Sequence, residues 1–421
     1  MNLGLSRSST HDSWFGAGLA LIVSSCLAPP AAKSAAPTDT ASSAAVTPSP
    51  SAGKGFSRTS AELFATLGIG WNLGNSLDVP DGETAWGNPK ATPELMNAVA
   101  HAGFRLVRIP VTWTSHTGPA PDYTIEASWL ARVDEVVGFA RSAGLHAIIN
   151  LHHDGADNFK GPEWLTLNDA QGNTTDANNA LVKARFVAVW RQIAKHFAGH
   201  GEQLLFESMN EIHDGYGQPD PRHFTFINEL NQEFVNLVRE SGGNNALRHL
   251  IVPGYNTNIE HTLKGFKLPT DSAPNRLILS VHYYDPYLFA LQAKTHTWGA
   301  ASPGHDDWGQ EDFVVGQFDK LKATYVDKGV PVLIGEYGAT QQDGFEDYRR
   351  YYLEYVTTAA VERGLVPVYW DNGGKKSGGE NFALFDRDTN SVLHPELMQA
   401  LQRAASKSRK LSEIALPAPA K

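Results

Sequence analysis

The stretch that decides the fold is a pair of short runs with a helical segment between them: His146-Ala147-Ile148-Ile149-Asn150-Leu151 first, and Gln203-Leu204-Leu205-Phe206-Glu207-Ser208 second. Both runs are rich in aliphatic residues and too brief to be helices. Between them Val182, Phe186, Val189, Ile193 and Phe197 recur at the three-and-four spacing of a helix that buries one stripe, and Gly199 follows as a stop. Strand, helix and strand in that order make a βαβ unit, whose two strands lie parallel in one sheet. The same reading extends outward. Upstream, Leu67 to Asn72 and Phe104 to Ile109 read as strands, and Trp129, Val133, Val136, Val137 and Ala140 mark a helix closed by Ser142 to Gly144. Downstream come His249 to Pro253, Leu277 to His282, Pro331 to Gly335 and Val366 to Trp370, then a long loop from Asp371 and a last helix near Pro395 to Ala404. Eight strands alternating with helices over about 350 residues predict an α/β fold, a (β/α)8 TIM barrel in a single domain.

The 421 residues are 42% hydrophobic and 19% charged, the composition of an ordinary globular chain. A formal net charge of −10 excludes nucleic acid and anionic membrane surfaces as main partners, because both are bound through clustered Lys and Arg. A neutral polysaccharide fits. Cys26 is the one cysteine, so the chain forms no internal disulfide and no Cys-based metal site. Arg7 and the short apolar run Trp14 to Val23 read as the core of a signal peptide, and hence as export. Val23-Ser24-Ser25-Cys26 resembles a bacterial lipoprotein box, which makes Cys26 a candidate lipidation site and a lipid anchor the expected contact with a membrane. Cleavage among the alanines from Ala31 to Ala36 would instead release a secreted enzyme. Residues 1–26 are thus read as a leader and 27–55 as an Ala/Pro/Ser/Thr-rich linker with too little apolar surface to fold. Residues 56–408 are read as the catalytic barrel and 409–421 as a loose tail, in a chain expected to be monomeric.

In a barrel of this kind the working residues stand at the C-terminal strand ends. Here those ends are polar or aromatic: Asn72, Arg108, His152, Asn210 with Glu211, His282 with Tyr284, Glu336 and Trp370. Alternation along a strand puts Ile148, Asn150 and His152 on one face. It groups Glu207 with Met209 and Glu211, Val332 with Ile334 and Glu336, and Val368 with Trp370. Glu211 and Glu336 end strands four and seven and can meet across the mouth. Hydrolysis of a glycosidic bond needs such a pair, one group to protonate the leaving oxygen and one on the other side of the sugar, roughly 5 Å apart when configuration is retained. Glu207 lies deeper on the same face, where a lone charge is very costly, and is expected to pair with Arg108. Two other classes remain in view. His152, His153 and Asp154 together suggest a metal-dependent hydrolase, yet neighbours on a strand point to opposite faces and make a poor joint ligand pair, so neither metal nor cofactor is expected. A glycan-binding surface lipoprotein would keep the barrel and its stacking surfaces but has no need of an acid.

Seven stretches in order carry a resemblance: Gly70-Trp71-Asn72-Leu73-Gly74-Asn75, Arg105-Leu106-Val107-Arg108-Ile109-Pro110-Val111, Asn150-Leu151-His152-His153-Asp154, Glu207-Ser208-Met209-Asn210-Glu211, His282-Tyr283-Tyr284, Gly335-Glu336-Tyr337-Gly338 and Tyr369-Trp370-Asp371-Asn372-Gly373. They resemble the motifs of family 5 glycoside hydrolases from about Gly70 to Arg387. Thr84-Ala85-Trp86-Gly87-Asn88-Pro89, the paired histidines and Glu380-Asn381-Phe382 are similar to the endo-β-1,4-glucanase branch with xyloglucan- and lichenan-active members. The resemblance implies a retaining enzyme with Glu211 as acid/base and Glu336 as nucleophile. Arg108 would hold the nucleophile and lower its pKa, Asn210 would donate to the sugar 2-hydroxyl, and Tyr284 would bond to the nucleophile. His282 would orient the acid/base, His152 and its neighbour His153 would meet sugar hydroxyls, and Trp370 would form the floor at the cleavage point. Asn72 is expected to touch sugar or Trp370 at the rim. Trp113, Trp298 and Trp308 are candidates for further subsites. Cellulose, mixed-linkage glucan, xyloglucan and mannan all stay open as substrates, mannan the least favoured.

Overall fold

A computed structural model describes residues 55–155, 163–215 and 217–418. The leader and most of the linker, Cys26 included, lie outside the described residues, as do residues 419–421 of the tail. In chain order the elements are α1 (Ser60–Leu67), β1 (Gly70–Leu73), α2 (Pro93–His101), β2 (Leu106–Ile109), α3 (Ala127–Ser142), β3 (His146–Ile149), α4 (Asp176–His196) and β4 (Leu204–Glu207). There follow α5 (Pro221–Glu240), β5 (Leu250–Pro253), α6 (Ile259–Gly265), β6 (Leu277–Tyr283), α7 (Tyr287–Ala290), α8 (Glu311–Thr324), β7 (Val332–Tyr337), α9 (Glu346–Glu362) and β8 (Val366–Asp371). A small antiparallel pair, β9 (Phe385–Asp386) and β10 (Ser391–Val392), precedes α10 (Pro395–Ala404). The eight main strands pair in sequence order, and β8 returns in parallel to β1 through Gly70↔Val368 and Asn72↔Trp370, closing the barrel.

The barrel interior is layered by strand periodicity, since residues two apart share a face. Its floor is apolar: Leu106, Ile148, Leu205, Ile251, Ile278, Leu333, Val366 and Val368 pack with Leu63, Phe64 and Leu67 of α1, which plugs the bottom. Each such buried side chain contributes roughly 1.5–3 kcal/mol. Two residues further along the strands the lining turns polar, with Arg108 above Leu106, Asn150 above Ile148, Glu207 above Leu205 and Ser280 above Ile278. The opposite faces, among them Val107, Ile109, Ala147, Ile149 and Phe206, pack outward against the helices. There α3 buries Trp129, Val133, Val136, Val137 and Ala140, and α4 buries Val182, Phe186, Val189 and Ile193, the stripes expected from their spacing.

Two boundaries differ from the sequence reading. Leu67 does not begin a strand but ends α1, whose start is fixed by a capping box in which the Thr59 hydroxyl accepts from the Glu62 amide and the Glu62 carboxylate accepts from the Thr59 amide. Nor is the described part of the tail, residues 409–418, loose. Arg409 bonds Glu354 of α9 at 2.8 Å, residues 411–413 form a helical turn, and Leu411, Ile414 and Leu416 pack against the core. Three apolar side chains and an ion pair with a nearly buried carboxylate are what tie it down.

Candidate functional site

The polar layer is organised around Arg108, which β2 carries inward with no exposure. Its Nε donates to Glu207 at 2.7 Å, one terminal nitrogen donates to Glu336 at 2.7 Å and to Asn72 at 3.1 Å, and the other donates to Asn210 at 2.7 Å. Burial alone would lower the guanidinium pKa, but the charges of Glu207 and Glu336 more than offset it, so the pKa is raised and Arg108 is a fixed cation. The expected Arg108–Glu207 pair is therefore present, and Glu207 also accepts from Asn150 at 3.0 Å and Ser280 at 2.9 Å. Asn72 departs from expectation. It has no exposed surface, its oxygen accepts from Arg108, and its amide donates to the carbonyl of Gly335 at 2.9 Å and to those of Val368 and Tyr369 at 3.3 Å. It ties three strands together beneath the mouth and offers nothing to a sugar.

Glu336 reaches the site by a route that alternation does not give. Leu333 lines the interior while Val332 and Ile334 pack outside, so a regular β7 would aim Glu336 outward with them. The register against β6 runs Ile334↔Val281 and then Glu336↔His282, leaving Gly335 unopposed, and the pairing with β8 slips at the same place. This bulge turns the carboxylate inward. It also needs a glycine: a Cβ on Gly335 would lie 2.9 Å from Ser280 Oγ and 3.0 Å from His282 Nε2. The set Glu207, Met209 and Glu211 fails likewise, because β4 ends at Glu207 and Met209 packs into the outer core. The chain beyond it leaves strand geometry and brings Asn210 and Glu211 to the site together.

A carboxylate oxygen of Glu211, one of Glu336 and a ring nitrogen of His282 all lie within 4.8 Å of one another. Glu211 keeps 31% of its side chain exposed at the mouth, against 7% for Glu336. It forms a short hydrogen bond with His282 Nδ1 and accepts from Thr257 Oγ1 at 3.3 Å. Glu336 accepts from Arg108 on one oxygen and from the Tyr284 hydroxyl, 3.1 Å away, on the other. Burial raises both carboxyl pKa values, and the Arg108 guanidinium opposes the rise at each. Burial lowers His282 to about 4 and His152 well below its ordinary value, so both rings are neutral at pH 7. His152 Nε2 stands 4.0 Å from Glu336, with its ring nearly parallel to that of Trp370. His153 turns elsewhere, to the carbonyl of Asp78 at 2.8 Å and the ring of Trp86.

The sequence model described as Cellulase (glycosyl hydrolase family 5) matches residues 72–376. The chain belongs to glycosyl hydrolase family 5. Among family 5 relatives, Endoglucanase A of Paenibacillus barcinonensis is 40% identical over 82% of this chain and 90% of its own length. The xyloglucan-specific endo-beta-1,4-glucanase BoGH5A of Bacteroides ovatus is 37% identical over 82% of this chain and 70% of its own. Among solved structures, a GH5-4 broad specificity endoglucanase from Bacteroides salanitronis is 47% identical, with a TM-score of 0.78, over 84% of this chain and 97% of its own. As a family 5 member, this chain is a glycoside hydrolase.

Within this family 5 barrel the trio His152, His153 and Asp154 does not converge: Asp154 accepts from the Trp113 amide, the Thr114 hydroxyl and the Trp164 indole, holding rim loops together. Asp78, His152 and His153 do offer grouped donor atoms, but the Asp78 carboxylate already accepts from the amides of Asn75 and Ser76. Trp113 and Trp298 are fully buried, their indole N–H groups donating to Asn150 and Gly309, so of the three candidate tryptophans only Trp308 is exposed. Sequence reasoning assigned no part to Asn150, Ser280 or Thr257. Asn150 and Ser280 could have been found by asking what fills the layer above the apolar floor. Thr257 could not, since it reaches Glu211 from an irregular turn where Asn256 and Thr257 both have positive φ.

Proposed function

We propose that this family 5 enzyme is an endo-acting β-1,4-glucanase that cleaves a β-glucan by double displacement, with Glu336 as nucleophile and Glu211 as acid/base. The observation that carries the mechanism is the approach of the two carboxylates to within 4.8 Å, the separation of a retaining pair. The roles divide by partner. Glu336 receives a guanidinium and a phenol hydroxyl, both of which stabilise an anion. Glu211 touches no cation directly and opens to the mouth, where a leaving group arrives. In the first step Glu336 attacks the anomeric carbon while Glu211 gives its proton to the glycosidic oxygen, and the leaving chain departs. In the second, Glu211 takes a proton from water, whose oxygen attacks the same carbon and frees Glu336. Asn210 spends its oxygen on Arg108, which leaves its amide to donate to the sugar 2-hydroxyl. Trp370 supports the sugar at the cleavage point, and His152 meets a hydroxyl beside it.

The relatives named for endoglucanase and xyloglucanase action support a β-1,4-glucan as substrate. The test is proton NMR of the first product released from soluble polysaccharides: cellulose derivatives, mixed-linkage glucan, xyloglucan and, as the contrasting case, mannan. The β anomer should form first; the α anomer, or no release from any glucan, defeats the reading. Export fits a polymer substrate, and lipid attachment at Cys26 belongs to the same proposal. Labelled fatty acid should enter the wild-type protein and not Cys26→Ala; no incorporation into either would favour the freely secreted form.

A further inference from the structure

The acid/base stands beyond the end of its own strand. The register between β4 and β5 ends at Glu207↔Ile251, so strand pairing stops before Glu211 is reached. The turn after β5, residues 255–257, takes over. The Tyr255 hydroxyl donates to the Asp214 carboxylate and accepts from the Asp214 amide at 3.2 Å. The Asn256 amide donates to the Ile212 carbonyl at 3.0 Å. Thr257, which has no exposed surface, brings its hydroxyl to 3.3 Å from Glu211 Oε1. Three successive residues thus hold the segment that carries the acid/base. The turn is strained: φ is 50° at Asn256 and 47° at Thr257. Asparagine tolerates the left-handed region, but a β-branched threonine rarely enters it, and such strain persists where the surroundings impose it, commonly at sites of chemistry.

We propose that Thr257 is a positioning residue whose hydroxyl turns to Glu211 once that group is an anion, and so supports it as the base of the second step. The inference rests on Glu211 being the acid/base. The hydroxyl has one proton and two acceptors, the Asn256 carbonyl at 2.7 Å and Glu211 Oε1 at 3.3 Å. While Glu211 is protonated, the nearer carbonyl takes the hydroxyl proton. Once the leaving group has departed with the Glu211 proton, Oε1 belongs to a carboxylate, and a hydrogen bond to a charged oxygen is about twice as strong as one to a neutral oxygen. Rotation about a single bond moves the donor from one acceptor to the other. His282 Nδ1 bonds the same oxygen, so Oε1 is engaged on two sides and the proton exchange falls to Oε2. In the second step Oε2 takes a proton from water and the water oxygen bonds to the anomeric carbon. The bond from that carbon to Glu336 breaks, and its electron pair returns to the Glu336 carboxylate. A side chain without the hydroxyl leaves Oε1 one donor short in that step and not in the first.

An aryl β-cellobioside with a dinitrophenolate leaving group separates the two steps. It needs no proton in the first, so the burst of dinitrophenolate reads glycosylation and the steady state reads the second step. Thr257→Val keeps the branched shape. It should give a burst of wild-type rate and a steady-state rate about tenfold lower, the loss of one hydrogen bond to a charged group. Thr257→Ala, for which a positive φ costs less, should show the same split. Thr257→Ser keeps the hydroxyl and should restore the wild-type steady state. Azide, which attacks the glycosyl-enzyme without a base, should raise the steady-state rate of Thr257→Val more than that of the wild type. Equal slowing of burst and steady state, or a Thr257→Ser as slow as Thr257→Val, would show that the turn only packs the loop and overturns the proposal. Wild-type kinetics in Thr257→Val and Thr257→Ala overturn it too. A Glu211→Ala steady state equal to the wild type on this substrate overturns the assignment of Glu211 itself.

Discussion

At the scale of single residues the site depends on one side chain with four acceptors. Arg108 meets Glu207, Glu336, Asn72 and Asn210 with three nitrogens held in one plane. A lysine ammonium has the charge but not that fork, and cannot reach all four. Arg108→Lys should therefore lower kcat/KM by about 10²–10³-fold, the cost of losing one preorganised contact to developing charge, in an enzyme that still folds. Glu207 answers differently, because it is fully buried and touches the reacting groups only through Arg108. Glu207→Ala leaves a buried guanidinium half-paired and should cost about 3–5 kcal/mol in chemical denaturation. If that variant proves as stable as the wild type, the pair is not what sustains the polar layer. Glu211→Ala should slow polysaccharide cleavage by about 10²–10⁴-fold and aryl glycosides with good leaving groups far less, since those need no proton. Azide, an anion that attacks the glycosyl-enzyme without help from a base and frees Glu336 as a glycosyl azide forms, should restore part of the lost rate on the aryl substrate.

At the scale of elements the decisive feature is the bulge in β7. Without it Glu336 would follow Val332 and Ile334 to the helix side. Gly335→Ala tests this directly. Its new methyl meets Ser280 Oγ and His282 Nε2 at 2.9–3.0 Å, so His282 has to move, and with it the hydrogen bond to Glu211. A displacement of about 1 Å at a reacting group costs on the order of 10²-fold, whereas overpacking here costs roughly 1–3 kcal/mol of stability. A folded variant with a large drop in kcat is the expected result; full activity would mean that the bulge does not need its glycine. The same element marks the limit of what the chain reveals on reading. All eight strands and the stripes of α3 and α4 were legible, because apolar periodicity reports burial directly. Glu211 and Glu336 were legible as strand-end carboxylates, yet the face argument for both failed. Bulges and irregular strand ends depend on the pairing of neighbouring strands, which local spacing does not encode. Asn72 was misread for a related reason: Asn72 belongs to the layer below the rim, a depth that barrel stagger sets.

At the scale of the whole molecule the barrel separates its titratable groups into layers, and pH should read that separation. At the bottom, His249 has no exposed surface, contacts Ser60 Oγ at 2.8 Å and is pushed down to about 4 by burial. Near the mouth, burial lifts the Asp285 carboxyl to about 6. Between about pH 6.5 and 4 the unfolded chain protonates its histidine while the folded chain refuses the proton at His249, so this group removes stability as pH falls. Asp285 has the opposite sign. Its folded form holds a proton up to about pH 6 that the unfolded form releases near 4, so its contribution is present at low pH and lost as pH rises through that window. Two variants separate them. With Tm followed from pH 7 to pH 4, His249→Asn should flatten the acid-side decline, whatever it does to stability at pH 7, and Asp285→Asn should steepen it. Shifts in the same direction would contradict this assignment, since burial lowers the His249 pKa and raises that of Asp285, which gives the two groups opposite signs in this linkage.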